Sequence, residues 1–165
     1  MINDYDPQWP RRFEELRLRL ADALGDLAAT IEHVGSTAVP GLAAKPVIDM
    51  DVLLKSESDF SGVVKRLSAL GYRHQGDLGI RGREAFEAPP ADFPHHLYVC
   101  LPDCPQFRRH ILFRDHLREH PDDATAYAEL KRRLAAQFSE NRVSYVRGKT
   151  QFVTAIVERS SHEEG

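Results

Sequence analysis

Apolar positions along the chain alternate between two periods. Trp9, Phe13, Leu16, Leu20, Leu24 and Leu27 recur at steps of three or four, the signature of one buried helix face. Asp6 and Pro7 supply a cap and a first turn ahead of that stripe, and Gly25 ends it or loosens its last turn. Arg11, Arg12, Glu14, Glu15, Arg17 and Arg19 alternate in sign on the other face and read as solvated charge. Residues 31–34 then form a short expected strand ending at Gly35. Residues 47–54 form a mostly buried one whose acids, Asp49 and Asp51, share a face by the two-residue period. Phe60, Val63, Val64, Leu67 and Leu70 predict a second helix closed by Gly71, where a left-handed cap is usual. Residues 72–74, 84–88 and 95–101 predict three short strands between turns rich in Gly or Pro, an antiparallel extension of the sheet. Beyond Pro105 the pattern predicts helices at 106–119, 122–141 and 143–159, then a polar tail fraying from about residue 160.

That order describes an α+β fold, a mixed or antiparallel sheet packed with helices and followed by C-terminal helices. At 165 residues the expectation is one domain spanning 1–165. The net charge of −3 argues against a general nucleic-acid or membrane surface. No apolar run is long enough to span a bilayer and residues 1–10 do not resemble a leader, so a cytoplasmic protein is expected. Cys100 and Cys104 are the only cysteines, read as reduced thiols. With His95 and His96 they do not match zinc-knuckle spacing.

The chemistry concentrates between His33 and Leu54. Two like charges side by side on a buried strand call for a counter-charge. A hard divalent cation takes carboxylate oxygens while leaving positions for phosphates. Asp49 and Asp51 are therefore the expected metal ligands, with backbone amide capping as the alternative use of an Asp near a strand end. Gly35 lets the backbone approach a ligand, and Ser36 and Thr37 offer hydroxyls and amides to phosphate oxygens. In the C-terminal helices, cations fall among apolar positions: Arg114 and Arg118 on the stripe of Phe107, Ile111 and Leu117, Lys131 beside Tyr127 and Leu134, Lys149 beside Tyr145 and Phe152. Buried cations need partners, and several pointing inward suggest a shared anion. Each could instead lay its stem on apolar surface with its head in water, and Arg114 could merely pair with Asp115. Lys45, just ahead of the aspartate strand, could reach a phosphate or decorate a loop.

At these residues the chain resembles the nucleotidyltransferase superfamily, whose signature is a Gly-Ser turn followed by an Asp-x-Asp strand. The run HVGSTAVPGLAAKPVID, the early YDPQWP, and the FRDHLR, YAELK and YVRGK segments are similar to one branch, the GrpB family, over nearly the whole chain. The resemblance implies a nucleotidyltransferase-like core with helices after it. It also implies a third carboxylate from a later strand, yet residues 95–100 carry none. His96, on the face of Tyr98 and Cys100, stands in that place, with Glu84 and Glu87 as possible substitutes. The expected function is a nucleotidyltransferase-like protein that uses Mg²⁺ or Mn²⁺. It binds a nucleoside triphosphate and transfers its monophosphate to a small-molecule acceptor, with His96 as base. A binding or sensor module for nucleotides or phosphometabolites, without catalysis, is the alternative.

Overall fold

A computed structural model describes residues 1–164. Helix α1 (Trp9–Leu24) leads into strand β1 (Ala28–Val34), a short 3₁₀ turn (Ser36–Ala38) and strand β2 (Ile48–Leu54). Helix α2 (Phe60–Ala69), strands β3 (Arg73–Gly76), β4 (Arg83–Glu87) and β5 (His95–Cys100), and helices α3 (Pro105–Glu119), α4 (Pro121–Gln137) and α5 (Arg142–Glu164) follow. The strands form one mixed sheet in the order β1-β2-β5-β4-β3. Only the central β2–β5 pair is parallel; the others are antiparallel.

Alternation along β2 divides the molecule into two layers. Ile48, Met50, Val52 and Leu54 face α1 and α2 in the main core, joined by Leu16, Leu20 and Leu24 from α1 and Val63 and Leu67 from α2. Burying each such side chain contributes roughly 1.5–3 kcal/mol, which outweighs the modest helix propensity of these segments. Asp49, Asp51 and Leu53 necessarily face the other way, toward the C-terminal helices. There a second apolar cluster of Val39, Leu42, Leu117 and Tyr127, with Phe113 and Phe152 against it, ties the segment after the 3₁₀ turn to α3, α4 and α5.

Local signals explain most boundaries and correct some. Pro10, not Pro7, occupies the first turn of α1. Asp6 instead accepts the Gln8 N–H at 2.8 Å in the turn just before it. Gly71 takes φ +96° after α2, as expected of a left-handed cap. Helix α4 stops at Gln137, four residues short of the expected end, because Phe138 leaves helical geometry (φ −121°, ψ 41°). The segment expected to fray from about residue 160 is helical as far as Glu164, and Ser160 is buried with its hydroxyl 3.3 Å from His116 Nδ1. Gly165 lies outside the described residues. Among the described residues no helix is long and apolar enough to cross a membrane.

Candidate functional site

The turn after β1 and the face of β2 meet in atomic contact. Gly35 has φ +76° and ψ −175°, and a Cβ there would overlap Asp49 Oδ2 and lie 3.1 Å from the Asp49 Cβ and Cγ. Only glycine fits both the backbone and the space. The turn closes through Ala38 N–H to Gly35 O at 3.1 Å. Beneath it, buried His33 places Nε2 2.8 Å from Thr37 Oγ1 and stacks on Phe13. Burial, with nearby Arg118 adding to it, pushes the His33 imidazole down to about 4, so the ring is neutral at ordinary pH.

Above the turn lies a cavity of about 290 Å³ whose wall includes Ser36, Thr37, Asp49, His96 and Tyr98. Lys45, Lys131, Arg142 and Lys149 line it too, so Asp49 is outnumbered by cations. Lys131 is 4% exposed; its ammonium donates to Ser36 Oγ at 2.8 Å and Ala43 O at 2.7 Å and sits 4.9 Å from the centre of the Tyr127 ring. Burial, reinforced by Lys149, Arg132 and Lys45, drives its pKa down to about 7. Lys149 is lowered as well, by burial first and Lys45 second, and Lys45 and Lys149 both lie over the Tyr145 ring, at 5.4 and 4.7 Å. Helix α5 approaches closely enough because residue 148 is glycine: a Cβ there would lie 2.7 Å from both Leu134 methyl carbons. These cations repel one another, and an anion in the cavity would relieve that repulsion.

Each aspartate of β2 is held by an imidazole. His96 lies beside Asp49 in the parallel register and donates from Nδ1 to Asp49 Oδ1 at 2.9 Å. That bond is the main reason its pKa is raised. Asp51 is wholly buried; His110 of α3 donates from Nδ1 to Asp51 Oδ2 at 2.6 Å and accepts from the Gln106 amide on Nε2 at 3.1 Å. Asp51 Oδ1 has no hydrogen-bond partner. Among the described residues no three His, Cys, Asp or Glu side chains converge as a ready-made metal shell. The donors nevertheless suit a hard cation that takes one or two carboxylates and completes its sphere with phosphate and water. On the cavity wall, Asp49 Oδ2 is the carboxylate oxygen not engaged by His96, and Asp51 Oδ1, buried behind it, lacks a donor.

The structure gathers Ser36, Thr37, Lys45, Asp49, His96, Lys131 and Lys149 on one cavity, with Gly35 packed against Asp49. Asp51 lies behind that wall rather than on it. Arg114 and Arg118, expected in the cavity, are elsewhere. Arg114 donates to His33 O at 3.1 Å and pairs with Asp115 and Glu32, while Arg118 donates to Ala38 O at 2.9 Å. Arg114 thus satisfies a carbonyl near the end of β1 and Arg118 one in the turn, an inward use that helical periodicity cannot distinguish from ligand binding. The substitutes for a third acid fail for reasons of facing and pairing. Glu84 shares the core-side face with Phe86 and approaches His74 at 3.3 Å, and Glu87 pairs with Arg73 at 2.6 Å. His95 points away from His96, bonded to the Tyr72 hydroxyl at 2.6 Å and Phe93 O at 2.7 Å, so no zinc set forms with the free Cys100 and Cys104. Sequence reasoning missed Arg142 and His110. The second had a signal, since it lies one turn before Arg114 on an inward stripe.

Comparison with known proteins adds a family and a fold. The family model described as GrpB protein matches residues 1–159. The chain is 36% identical over 156 residues to UPF0157 protein YqkA of Bacillus subtilis, covering 94% of this chain and 46% of that one. It is 43% identical over 161 residues to UPF0157 protein PA4798 of Pseudomonas aeruginosa, covering 94% and 65%. The chain thus spans about half to two thirds of these relatives' length. Conserved protein GrpB from Enterococcus faecalis superposes with TM-score 0.88 at 32% identity over 99% of both chains. Cid1 poly(U) polymerase in its MgGTP-bound structure shares the fold at TM-score 0.60 and 14% identity, over 89% of this chain and 50% of that one.

Proposed function

The chain belongs to the GrpB family. From that premise we propose that its cavity binds the phosphate tail of a nucleoside triphosphate with a divalent cation, Mg²⁺ or Mn²⁺. The observation that carries this reading is the convergence of Lys45, Lys131, Arg142 and Lys149 around Asp49 beside the Ser36 turn. At about 290 Å³ the space is at the small end for ligand sites, which run from about 300 Å³. It suits a triphosphate, with the nucleoside extending beyond it. The nucleotidyltransferase fold shared with a MgGTP-bound polymerase supports the same ligand class.

In this reading Asp49 and Asp51 hold the cation, Ser36 and Thr37 contact the β- and γ-phosphates, and Lys131 and Lys149 neutralise the tail. When bound, the cation neutralises charge on the phosphates and on the departing oxygen. Transfer forms a bond between an acceptor hydroxyl oxygen and the α-phosphorus, breaks the bond to the bridging oxygen, and releases pyrophosphate. His96 carries two roles that exclude each other: proton acceptor through Nε2, or metal ligand through Nδ1. The second reading is a binding module without turnover, favoured by an imidazole rather than a carboxylate facing Asp49 on β5.

Calorimetry with each nucleoside triphosphate, with and without Mg²⁺ or Mn²⁺, tests the binding. Metal-dependent affinity is the expected result, and its absence for every nucleotide contradicts the proposal. Pyrophosphate release with small-molecule acceptors separates transferase from binding module.

A further inference from the structure

The phosphate cavity opens into a second hollow. Ile2, Lys45, Arg142 and Tyr145 line both, and the second space measures about 420 Å³, within the range of small-molecule sites. The first cavity has room for phosphates alone, so a nucleoside attached to them lies outside it, and this hollow adjoins it. Ala135 and Phe138 add apolar surface to its wall.

The polar groups of that wall come from the connection between α4 and α5. Asn141 N–H donates to Phe138 O at 3.0 Å, the Asn141 side chain accepts from Ser144 N–H at 3.1 Å, and Tyr145 N–H donates to Asn141 O at 3.1 Å. The turn is thereby fixed to the start of α5, with Glu140 on one side of Asn141 and Arg142 on the other. Among the described residues Glu140 is the one acid on this wall, and it is exposed. A carboxylate only accepts hydrogen bonds and a guanidinium only donates them. Guanine is the one common base that matches the pair: its N1–H and 2-amino group present adjacent donors to a carboxylate, and its O6 and N7 accept from a guanidinium. Adenine and cytosine would turn a ring-nitrogen lone pair toward the carboxylate, and uracil a carbonyl, each a repulsive contact.

We infer that the second hollow holds the nucleoside and selects guanine, with Glu140 accepting from N1–H and the 2-amino group and Arg142 donating to O6 and N7. The inference rests on the triphosphate reading of the first cavity and adds the base to it.

The test is calorimetry of the full chain, in Mg²⁺, with GTP, ATP, CTP, UTP and inorganic triphosphate. The expected result is GTP bound roughly tenfold or more tighter than the other three nucleotides, and tighter than inorganic triphosphate. Inosine triphosphate, which lacks the 2-amino group, should fall between GTP and ATP. Glu140→Gln replaces one of the two acceptor oxygens by a donor and should bring the GTP-to-ATP affinity ratio toward one. Inorganic triphosphate should not bind that variant more weakly, because a negative charge near the cavity has been removed. Glu140 is exposed, so the variant should keep the fold, which circular dichroism verifies. Equal affinities for the four nucleotides, preference for another base, or a GTP preference that survives Glu140→Gln overturns the inference, and leaves the proposed function standing wherever inorganic triphosphate binds. Failure of every nucleotide and of inorganic triphosphate to bind overturns both.

Discussion

Substituting Gly35 with alanine probes the contact on which the site geometry depends. The backbone at φ +76° and ψ −175° lies in a region nearly exclusive to glycine and disfavours any other residue by about 1–3 kcal/mol. The added Cβ would also overlap Asp49 Oδ2 and lie 3.1 Å from Asp49 Cβ and Cγ. The Asp49 Cβ is fixed to the strand backbone and cannot swing clear, while relief at Oδ2 and Cγ requires the carboxylate to leave its rotamer, at about 0.5–1.5 kcal/mol. Its hydrogen bond to His96 weakens too, by about 0.5–1.5 kcal/mol. The sum is a loss of roughly 2–6 kcal/mol in unfolding free energy, read from urea denaturation. Gly41 is the control: its φ is +80° but a Cβ there meets nothing within 4 Å, so Gly41→Ala should lose only the backbone part, about 1–2 kcal/mol. A double-mutant cycle with Asp49→Ala should show positive coupling, since removing the carboxylate relieves part of the overlap. Equal losses at Gly35 and Gly41, or strict additivity with Asp49→Ala, would refute the packing of turn against aspartate.

Lys131→Met should weaken triphosphate binding by tenfold or more, about 1.4 kcal/mol, while changing stability little because a desolvated cation is removed; calorimetry and denaturation read the two effects. Lys131 titrates near 7, so triphosphate affinity should fall as pH rises from about 7 to 9 and the amine loses its charge, and Lys131→Arg should flatten that profile. His33 has its folded pKa lowered from 6.5 to about 4. Between those values the unfolded chain takes up a proton that the folded chain refuses, so stability is full above about 6.5 and falls as pH drops toward 4. The loss is on the order of 3 kcal/mol, and it should be absent from the difference curve of His33→Gln. Arg118→Met removes a donor to Ala38 O and should lower unfolding free energy by about 1–3 kcal/mol. Triphosphate affinity should not change, because Arg118 acts on the turn and not on the cavity.

Elements set by local periodicity were legible in the chain. The alternation of β2 fixed which face carries Asp49 and Asp51, and the stripe from Trp9 to Leu24 fixed α1, because burial period and element type are coupled residue by residue. Gly35 was readable as a close-approach glycine, although the atom approached, Asp49 Oδ2, was not. Long-range pairing was harder. Helical arithmetic placed Arg114, Arg118, Lys131 and Lys149 inward. It could not separate the two that meet carbonyls of β1 and the turn from the two that reach the cavity, because that depends on how α3, α4 and α5 dock. Arg142 escaped notice because the expected helix began at residue 143, which left Arg142 in the preceding turn with no face assigned to it, whereas it is the first residue of α5. His110 escaped because its partner, Asp51, lies 59 residues away on β2.

The most direct test of a metal-assisted phosphate site is a crystal of this chain soaked with Mn²⁺ and inorganic triphosphate and measured at the manganese absorption edge. The expected result is an anomalous peak within coordination distance of Asp49, with phosphate density running from it past Ser36 toward Lys131 and Lys149, and no such peak in Asp49→Asn. Triphosphate bound elsewhere, or manganese that stays in place when Asp49 is neutralised, would contradict the account.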